Sequence, residues 1–178
     1  MNLPNILTLI RILLIPAFVI LIIYNHFGSA LITFAIAGIT DGIDGLLARL
    51  TGQRTELGAY LDPIADKLLL SSGFVTLAII RLIPGWLTVA VISRDVIILL
   101  GFVILLLTNR RPKIRPSLVS KITTAFQIST IIIVLLREHD PLFRGLADFA
   151  IYGAGFFTVL SGAHYIILGT RILNESQN

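Results

Sequence analysis

Four aspartates lie at helical spacing inside a chain that is otherwise strongly apolar. Asp41 and Asp44 are three residues apart, and Asp62 and Asp66 are four apart. On a helix each pair shares one face, so the two pairs can point at a common centre. Ionised carboxylates in an apolar setting need cations, water or protonation, and sulfur-free carboxylate sites suit Mg²⁺, Mn²⁺ or Ca²⁺. Because two such ions about 4 Å apart can clamp a reacting phosphate, we predict phosphoryl-group chemistry.

Small residues surround these aspartates: Gly42, Gly45, Ala48, Gly52 and Gly58. A glycine within a helix costs about 1 kcal/mol relative to alanine, so this pattern predicts close approach of another group to the backbone. Arg49 follows Asp44 by five residues. A guanidinium beside metal-binding carboxylates can bridge them to phosphate oxygens, and a flat group beside the small residues would complete a nucleotide site.

The elements that must position these residues are predicted to be membrane-spanning helices. The chain has 178 residues, of which 56% are hydrophobic and 13% charged, and its mean hydropathy is +0.93. A bilayer core about 30 Å thick needs roughly 20 apolar residues per helix. Six such segments occur, at residues 4–25, 28–50, 57–81, 85–107, 117–137 and 146–172. We therefore predict an all-α integral membrane protein with six transmembrane helices in one domain, 1–178.

The distribution of basic residues predicts the orientation in the membrane. With the N-terminus inside, the cytoplasmic ends carry Arg49, Arg54, Arg110, Arg111, Lys113, Arg115, Lys121 and Arg171, against Arg81, Arg137 and Arg144 outside. By the positive-inside rule, both termini and the aspartates lie on the cytoplasmic side of a cell membrane. Most of the basic residues behind the net charge of +4 lie in the polar breaks between the apolar segments. They therefore indicate membrane topology and attraction to lipid headgroups, and no nucleic-acid binding is expected. The absence of cysteine excludes sulfur-ligated metal sites.

The charged stretch also carries a family resemblance. It reads Asp41-x2-Asp44-Gly45-x2-Ala48-Arg49-x8-Gly58-x3-Asp62-x3-Asp66, which resembles the signature of the CDP-alcohol phosphatidyltransferases at all eight specified positions. The stretch NLPNILTLIRILLIP resembles the N-terminus of the bacterial phosphatidylglycerophosphate synthases, and ISRDV and PSLVSKITTAFQ resemble their fourth and fifth helices. The last two stretches are also similar to cardiolipin synthases of the same family.

This resemblance implies six transmembrane helices, a two-metal Mg²⁺ or Mn²⁺ site, and transfer of a phosphatidyl group from CDP-diacylglycerol to an alcohol with release of CMP. It implies that Asp41, Asp44 and Asp62 are metal ligands and that Asp66 is both a ligand and the general base. The positions implied or predicted to contact CDP-diacylglycerol are Asn5, Thr8, Gly45, Ala48, Arg49, Thr55 and Gly58. The family resemblance also implies a homodimer.

The acceptor alcohol is predicted to carry a phosphate. Arg94 lies inside the fourth segment, where ionisable residues are functional candidates, and Lys121 and Arg115 flank the start of the fifth. Glycerol 3-phosphate is the first choice, and phosphatidylglycerol, which would give cardiolipin, is the alternative; inositol phosphate or serine is more distant. The structural alternative for Arg94 is an ion pair, for example with Asp95.

Two other interpretations of the aspartates are open. They could form a buried ion-pair cluster with Arg49, Arg54 and Lys67, although buried charge rarely stabilises a fold. They could also mark a cation or proton carrier, since intramembrane carboxylates line ion pathways. A carrier would not need the small residues and the arginine, and it should not bind CMP.

Overall fold

Outside short turns, the described part of the chain is α-helical. The computed structural model describes the backbone of residues 3–51, 56–107 and 117–174, and the side chains of residues 8–42, 64–101, 103–104, 117–140 and 142–170. Its helices are α1 (Leu3–Ile23), α2 (Phe27–Thr51), α3 (Glu56–Ile79), α4 (Gly85–Leu107), α5 (Leu118–Arg137) and α6 (Arg144–Asn174), with a 3-10 turn at Pro141–Phe143. The predicted all-α class is confirmed.

The helices pack as two groups of three. α1 contacts both α2 and α3, while α6 contacts both α4 and α5; the groups meet through α3 with α4 and through α2 and α3 with α5. A Cβ atom added at Gly28 would lie 3.1 Å from Nε2 of His139. The turn before α2 and the connection after α5 are therefore at the same end of the bundle. Asp41 lies about 21 Å along α2 from Phe27, toward the other end.

Polar side chains lie inside the bundle and apolar ones cover its outside. Thr88 Oγ1 donates a hydrogen bond to the carbonyl oxygen of Phe74 at 3.0 Å, and Gln127 Nε2 donates to Thr158 Oγ1 at 3.2 Å. Thr88, Gln127 and Thr158 are buried, whereas many large apolar side chains on every helix are exposed. Helices in lipid show this arrangement, because interhelical hydrogen bonds hold them together and apolar side chains face the hydrocarbon.

Two described helical segments are long and apolar enough to cross a membrane by length and composition, Leu118–Arg137 and Arg144–Thr170. Two shorter apolar stretches, Thr8–Ile23 and Phe27–Gly42, precede them. These observations are consistent with a membrane protein, and the number of spans remains a prediction.

Two glycines of α6 allow close packing of neighbouring helices. A Cβ atom added at Gly153 would lie 2.7 Å from Phe126 Cε1 of α5, and one added at Gly155 would lie 2.6 Å from the Trp86 ring of α4. Real Cβ atoms do not approach neighbours so closely, so the rings occupy the space that a side chain would take. These contacts within the chain account for glycine at both positions.

Candidate active site

Two of the predicted carboxylates are brought together by α2 and α3. Asp41 lies ten residues before the end of α2, and Asp66 lies ten residues after the start of α3. Asp41 and Asp66 nevertheless lie at the same level of the bundle, because both contact one side-chain nitrogen of Arg11. Because the two residues come from separate signature pairs, their proximity supports the prediction of a common centre.

Arg11 of α1 joins the two carboxylates. Its side chain is fully buried, and its Nη1 atom lies 2.6 Å from Asp41 Oδ1 and 3.1 Å from Asp66 Oδ1. Thr8, one turn earlier on the same helix face, is also fully buried. The polar face of α1 therefore points into the bundle, and the guanidinium is in contact with helices α2 and α3 at once.

The oxygen atoms of this cluster suit a hard divalent cation. The side chains of Asp41 and Asp66 are 39% and 46% exposed, so an ion could reach them. Together the two carboxylates carry one more charge than Arg11, and oxygen-only donors fit Mg²⁺ or Mn²⁺. Among the described side chains no group of three or more acidic, histidine or cysteine residues could hold a metal; the other predicted ligands, Asp44 and Asp62, are not among them.

Most of the predicted nucleotide contacts lie outside the residues whose side chains are described. These are Asn5, Gly45, Ala48, Arg49, Thr55 and Gly58, and the acceptor candidate Arg115 is outside the described residues too. Of the predicted nucleotide contacts only Thr8 has a described side chain; it lies three residues before Arg11 on the same face of α1. These roles therefore stay predictions.

A second polar cluster surrounds Arg94 of α4, which is 7% exposed. Its Nη1 atom donates to Asp95 Oδ1 at 2.7 Å, and its Nη2 atom donates to Ser120 Oγ of α5 at 2.6 Å and to Ser161 Oγ of α6 at 3.3 Å. Lys67 Nζ of α3 lies 3.5 Å from the same Asp95 oxygen. The ion pair considered as the structural alternative is thus present, and it extends to a second cation.

This second cluster is connected to the first through α3, because Lys67 directly follows Asp66. Lys67 is paired with Asp95 of α4. The cation that the structure places between Asp41 and Asp66 is Arg11. Two clusters that each contain a cation are therefore joined by α3: one is Arg11 with Asp41 and Asp66, and the other surrounds Arg94.

Lys121, the other described acceptor candidate, lies on the outer side of α5. Its side chain is exposed. It borders a cavity of about 400 Å³ that is lined by Ser120, Lys121, Thr124, Ala125 and Ile128. Since Ser120 also accepts a hydrogen bond from Arg94, this cavity borders the cluster around Arg94.

An apolar cavity of about 500 Å³ opens between α1, α3 and α4. Its lining comprises Ile12, Ile15, Pro16, Leu68, Ser71, Ser72, Val75 and Ile92. Ile12 directly follows Arg11, and Leu68 lies two residues after Asp66. An apolar recess beside a charged centre can accommodate a lipid chain whose polar end reaches that centre.

The chain is similar in sequence to known proteins over most of its length. The sequence model of the CDP-alcohol phosphatidyltransferases matches residues 1–160. The chain belongs to this family. The family resemblance in the charged stretch is confirmed, and membership in a family of transferases leaves no support for the cation or proton carrier.

Three relatives show how far the similarity extends. A probable phosphatidylglycerophosphate synthase of Mycobacterium tuberculosis is 37% identical, with 96% of this chain and 82% of the relative covered. The CDP-diacylglycerol--glycerol-3-phosphate 3-phosphatidyltransferase of Bacillus subtilis is 35% identical, with 98% of both chains covered. The cardiolipin synthase (CMP-forming) of Homo sapiens is 39% identical over 80% of this chain and 52% of its own length.

Arg11 is the functional candidate that the sequence did not assign to the carboxylates. One signal was available, because an arginine deep in an apolar segment and on the same face as Thr8 must be paired. The sequence could not identify the partner, since the pairing depends on how α1 lies against two other helices. Lys67 was missed in the same way as a neighbour of Arg94.

Proposed function

We propose that this chain is a phosphatidylglycerophosphate synthase, which transfers the phosphatidyl group of CDP-diacylglycerol to glycerol 3-phosphate and releases CMP. The observation that carries the proposal is the convergence of Asp41 and Asp66 at one cation, in a chain that contains the complete family signature. The acceptor is inferred from the relative of Bacillus subtilis, because the two chains match over 98% of both lengths.

In this proposal the donor is held by α1, α2 and α3. Asp41, Asp44, Asp62 and Asp66 would hold two Mg²⁺ or Mn²⁺ ions, which when bound supply Lewis-acid polarisation of the diphosphate and charge neutralisation. The proposed CDP contacts are Asn5, Thr8, Gly45, Ala48, Arg49, Thr55 and Gly58. The apolar cavity between α1, α3 and α4 would take one acyl chain of the donor, since its lining includes Ile12, next to Arg11 in the sequence, and is mostly apolar.

Asp66 acts as the general base of the transfer. Its partly exposed carboxylate can approach the hydroxyl group of an incoming alcohol. It takes the hydroxyl proton as the alcohol oxygen bonds to the β-phosphorus, and the bond from that phosphorus to the CMP oxygen breaks. The phosphatidyl group passes directly to the acceptor, so no covalent enzyme intermediate is needed.

The acceptor phosphate is bound by Arg94 and Lys121, with Arg115 helping to admit it. Arg94 of α4 donates hydrogen bonds to Ser120 of α5 and Ser161 of α6, and these bonds fix the orientation of its guanidinium group. A guanidinium oriented in this way suits phosphate oxygens. Lys67 adds a second cation beside Asp95, which explains why an anionic acceptor would be preferred over a neutral one.

Cardiolipin synthesis from phosphatidylglycerol is the second candidate. It is favoured by the 39% identity to the human cardiolipin synthase. The acceptor of that reaction also carries a phosphate, so the same cations would serve it.

The proposed setting is a cell membrane crossed by all six helices of one domain, with both termini and the carboxylates on the cytoplasmic side. Support comes from the basic residues at alternate ends and from the apolar outer surface of the bundle. A homodimer is proposed from the family resemblance.

The test offers each acceptor in turn to purified protein with CDP-diacylglycerol and Mg²⁺ or Mn²⁺, and measures CMP release together with the lipid product. We expect CMP and phosphatidylglycerophosphate with glycerol 3-phosphate. Cardiolipin formed with phosphatidylglycerol alone would transfer the assignment to the second candidate. Folded protein that releases no CMP with any of the acceptors would contradict both.

A further inference from the structure

Arg11 is fully buried, and it is the one charged residue in the sequence of α1. Burying a guanidinium away from water is costly unless it is paired, and arginine does not lose its proton in proteins. Arg11 meets this requirement at the two carboxylates that α2 and α3 bring together. Pairing with Asp41 and Asp66, which are predicted metal ligands, is therefore what allows Arg11 to be buried.

We propose that Arg11 is a positioning residue that acts as a resident cation of the carboxylate site. It holds Asp41 and Asp66 together before a divalent metal binds, and its permanent charge lowers the affinity of the site for that metal. This inference rests on the proposed function, because it takes the aspartates to be metal ligands.

The first half of this role follows from electrostatic repulsion between the carboxylates. Asp41 and Asp66 lie on different helices, and both approach one nitrogen of Arg11 within hydrogen-bond distance. Without a cation, like charges at this separation repel each other, and the partly apolar surroundings screen them less than water would. Arg11 therefore stabilises the metal-free arrangement of α1, α2 and α3.

The second half follows because the charge of Arg11 remains when a metal arrives. A guanidinium in contact with both ligands repels a divalent cation at the same carboxylates and competes for their oxygens. A residue that merely organised the ligands would have the opposite effect, since its loss would scatter them and weaken metal binding. The direction of the change in metal affinity thus separates the two roles.

The experiment compares Arg11→Gln, Arg11→Lys and the matched control Arg144→Gln with the wild-type protein. Arg144 is exposed and begins α6 at the opposite end of the bundle. Metal-free protein in detergent is titrated with Mn²⁺ while free Mn²⁺ is followed by electron paramagnetic resonance, and thermal unfolding is recorded with and without Mn²⁺.

We expect Arg11→Gln to bind Mn²⁺ about tenfold or more tightly than the wild-type protein, because a positive charge in contact with the ligands has been removed. Its melting temperature should be lower without metal and should rise more on addition of Mn²⁺. Arg11→Lys, which retains the charge, and Arg144→Gln should resemble the wild type. Unchanged or weaker Mn²⁺ binding by folded Arg11→Gln would overturn the proposal.

If Arg11→Gln does not fold without metal, two further measurements test the proposal. Mn²⁺ added during purification, or the second substitution Asp41→Asn, should restore folding of Arg11→Gln, and failure of both would overturn the proposal. None of these measurements uses lipid substrate. If the wild-type protein binds Mn²⁺ as expected but releases no CMP, the proposed function fails while the role of Arg11 at the metal site stands.

Discussion

Replacement of Asp95 by asparagine tests whether the second polar cluster can bind an anion. One Asp95 oxygen lies 2.7 Å from Arg94 Nη1 and 3.5 Å from Lys67 Nζ. Asparagine keeps the shape of the side chain but loses its charge. Two cations would then lie near each other without the carboxylate between them, so we expect a less stable protein that gains more from added anions.

The size of the loss can be estimated from the exposure of the three groups. Removing one partner of a fully buried ion pair costs about 3–5 kcal/mol. The side chains of Asp95 and Lys67 are 21% and 44% exposed, and Arg94 keeps its hydrogen bonds to Ser120 and Ser161. Solvent screening and these bonds reduce the expected loss to about 1–2 kcal/mol, or a melting temperature lower by about 2–8 °C for a chain of this length.

The assay is thermal unfolding in detergent, with sodium phosphate compared against sodium chloride at equal ionic strength. Phosphate should raise the melting temperature of Asp95→Asn more than that of the wild type, because the wild-type carboxylate competes with phosphate for the two cations. Asp148→Asn serves as control, since Asp148 is an exposed carboxylate on α6. An equal effect of phosphate on wild type and variant would refute the assignment of Arg94 as a phosphate contact.

Three further outcomes are expected. Asp66→Asn should abolish CMP release while CDP-diacylglycerol binding persists, and normal turnover would rule out Asp66 as the base. Gly155→Ala should lower the melting temperature because its methyl group would meet a ring 2.6 Å away, whereas Gly38→Ala, with nothing within 4 Å, should leave it unchanged or slightly raised. Gln127→Leu should cost about 0.5–1.5 kcal/mol, measured by thermal unfolding, because a buried threonine of α6 loses its donor; an unchanged melting temperature would show that this bond contributes nothing.

The helices could be predicted from the sequence because each is a long apolar run bounded by turn residues. Every predicted segment begins and ends within two residues of the corresponding helix. Helical spacing also placed the two aspartates of each pair on one face, and the approach of Asp41 and Asp66 agrees with the predicted common centre. These properties are local, so they can be read from neighbouring positions along the chain.

The partners of the charged residues could not be predicted in the same way. Lys67 follows Asp66 directly, yet consecutive residues on a helix point in directions about 100° apart, and Lys67 reaches Asp95 on α4. Arg11 is 30 residues from Asp41 in the sequence. Such pairings depend on the rotation of each helix about its axis, which the sequence of a single helix does not specify.

The arrangement of helices in two groups of three has a consequence for how new specificities can arise. Asp41, Asp66 and Arg11 belong to α1–α3, whereas Arg94, Ser120 and Ser161 belong to α4–α6. Substitutions in the second group can therefore reshape the proposed acceptor site while the chemistry of the donor is left intact. A family built in this way can diversify its products by changing one half of the protein.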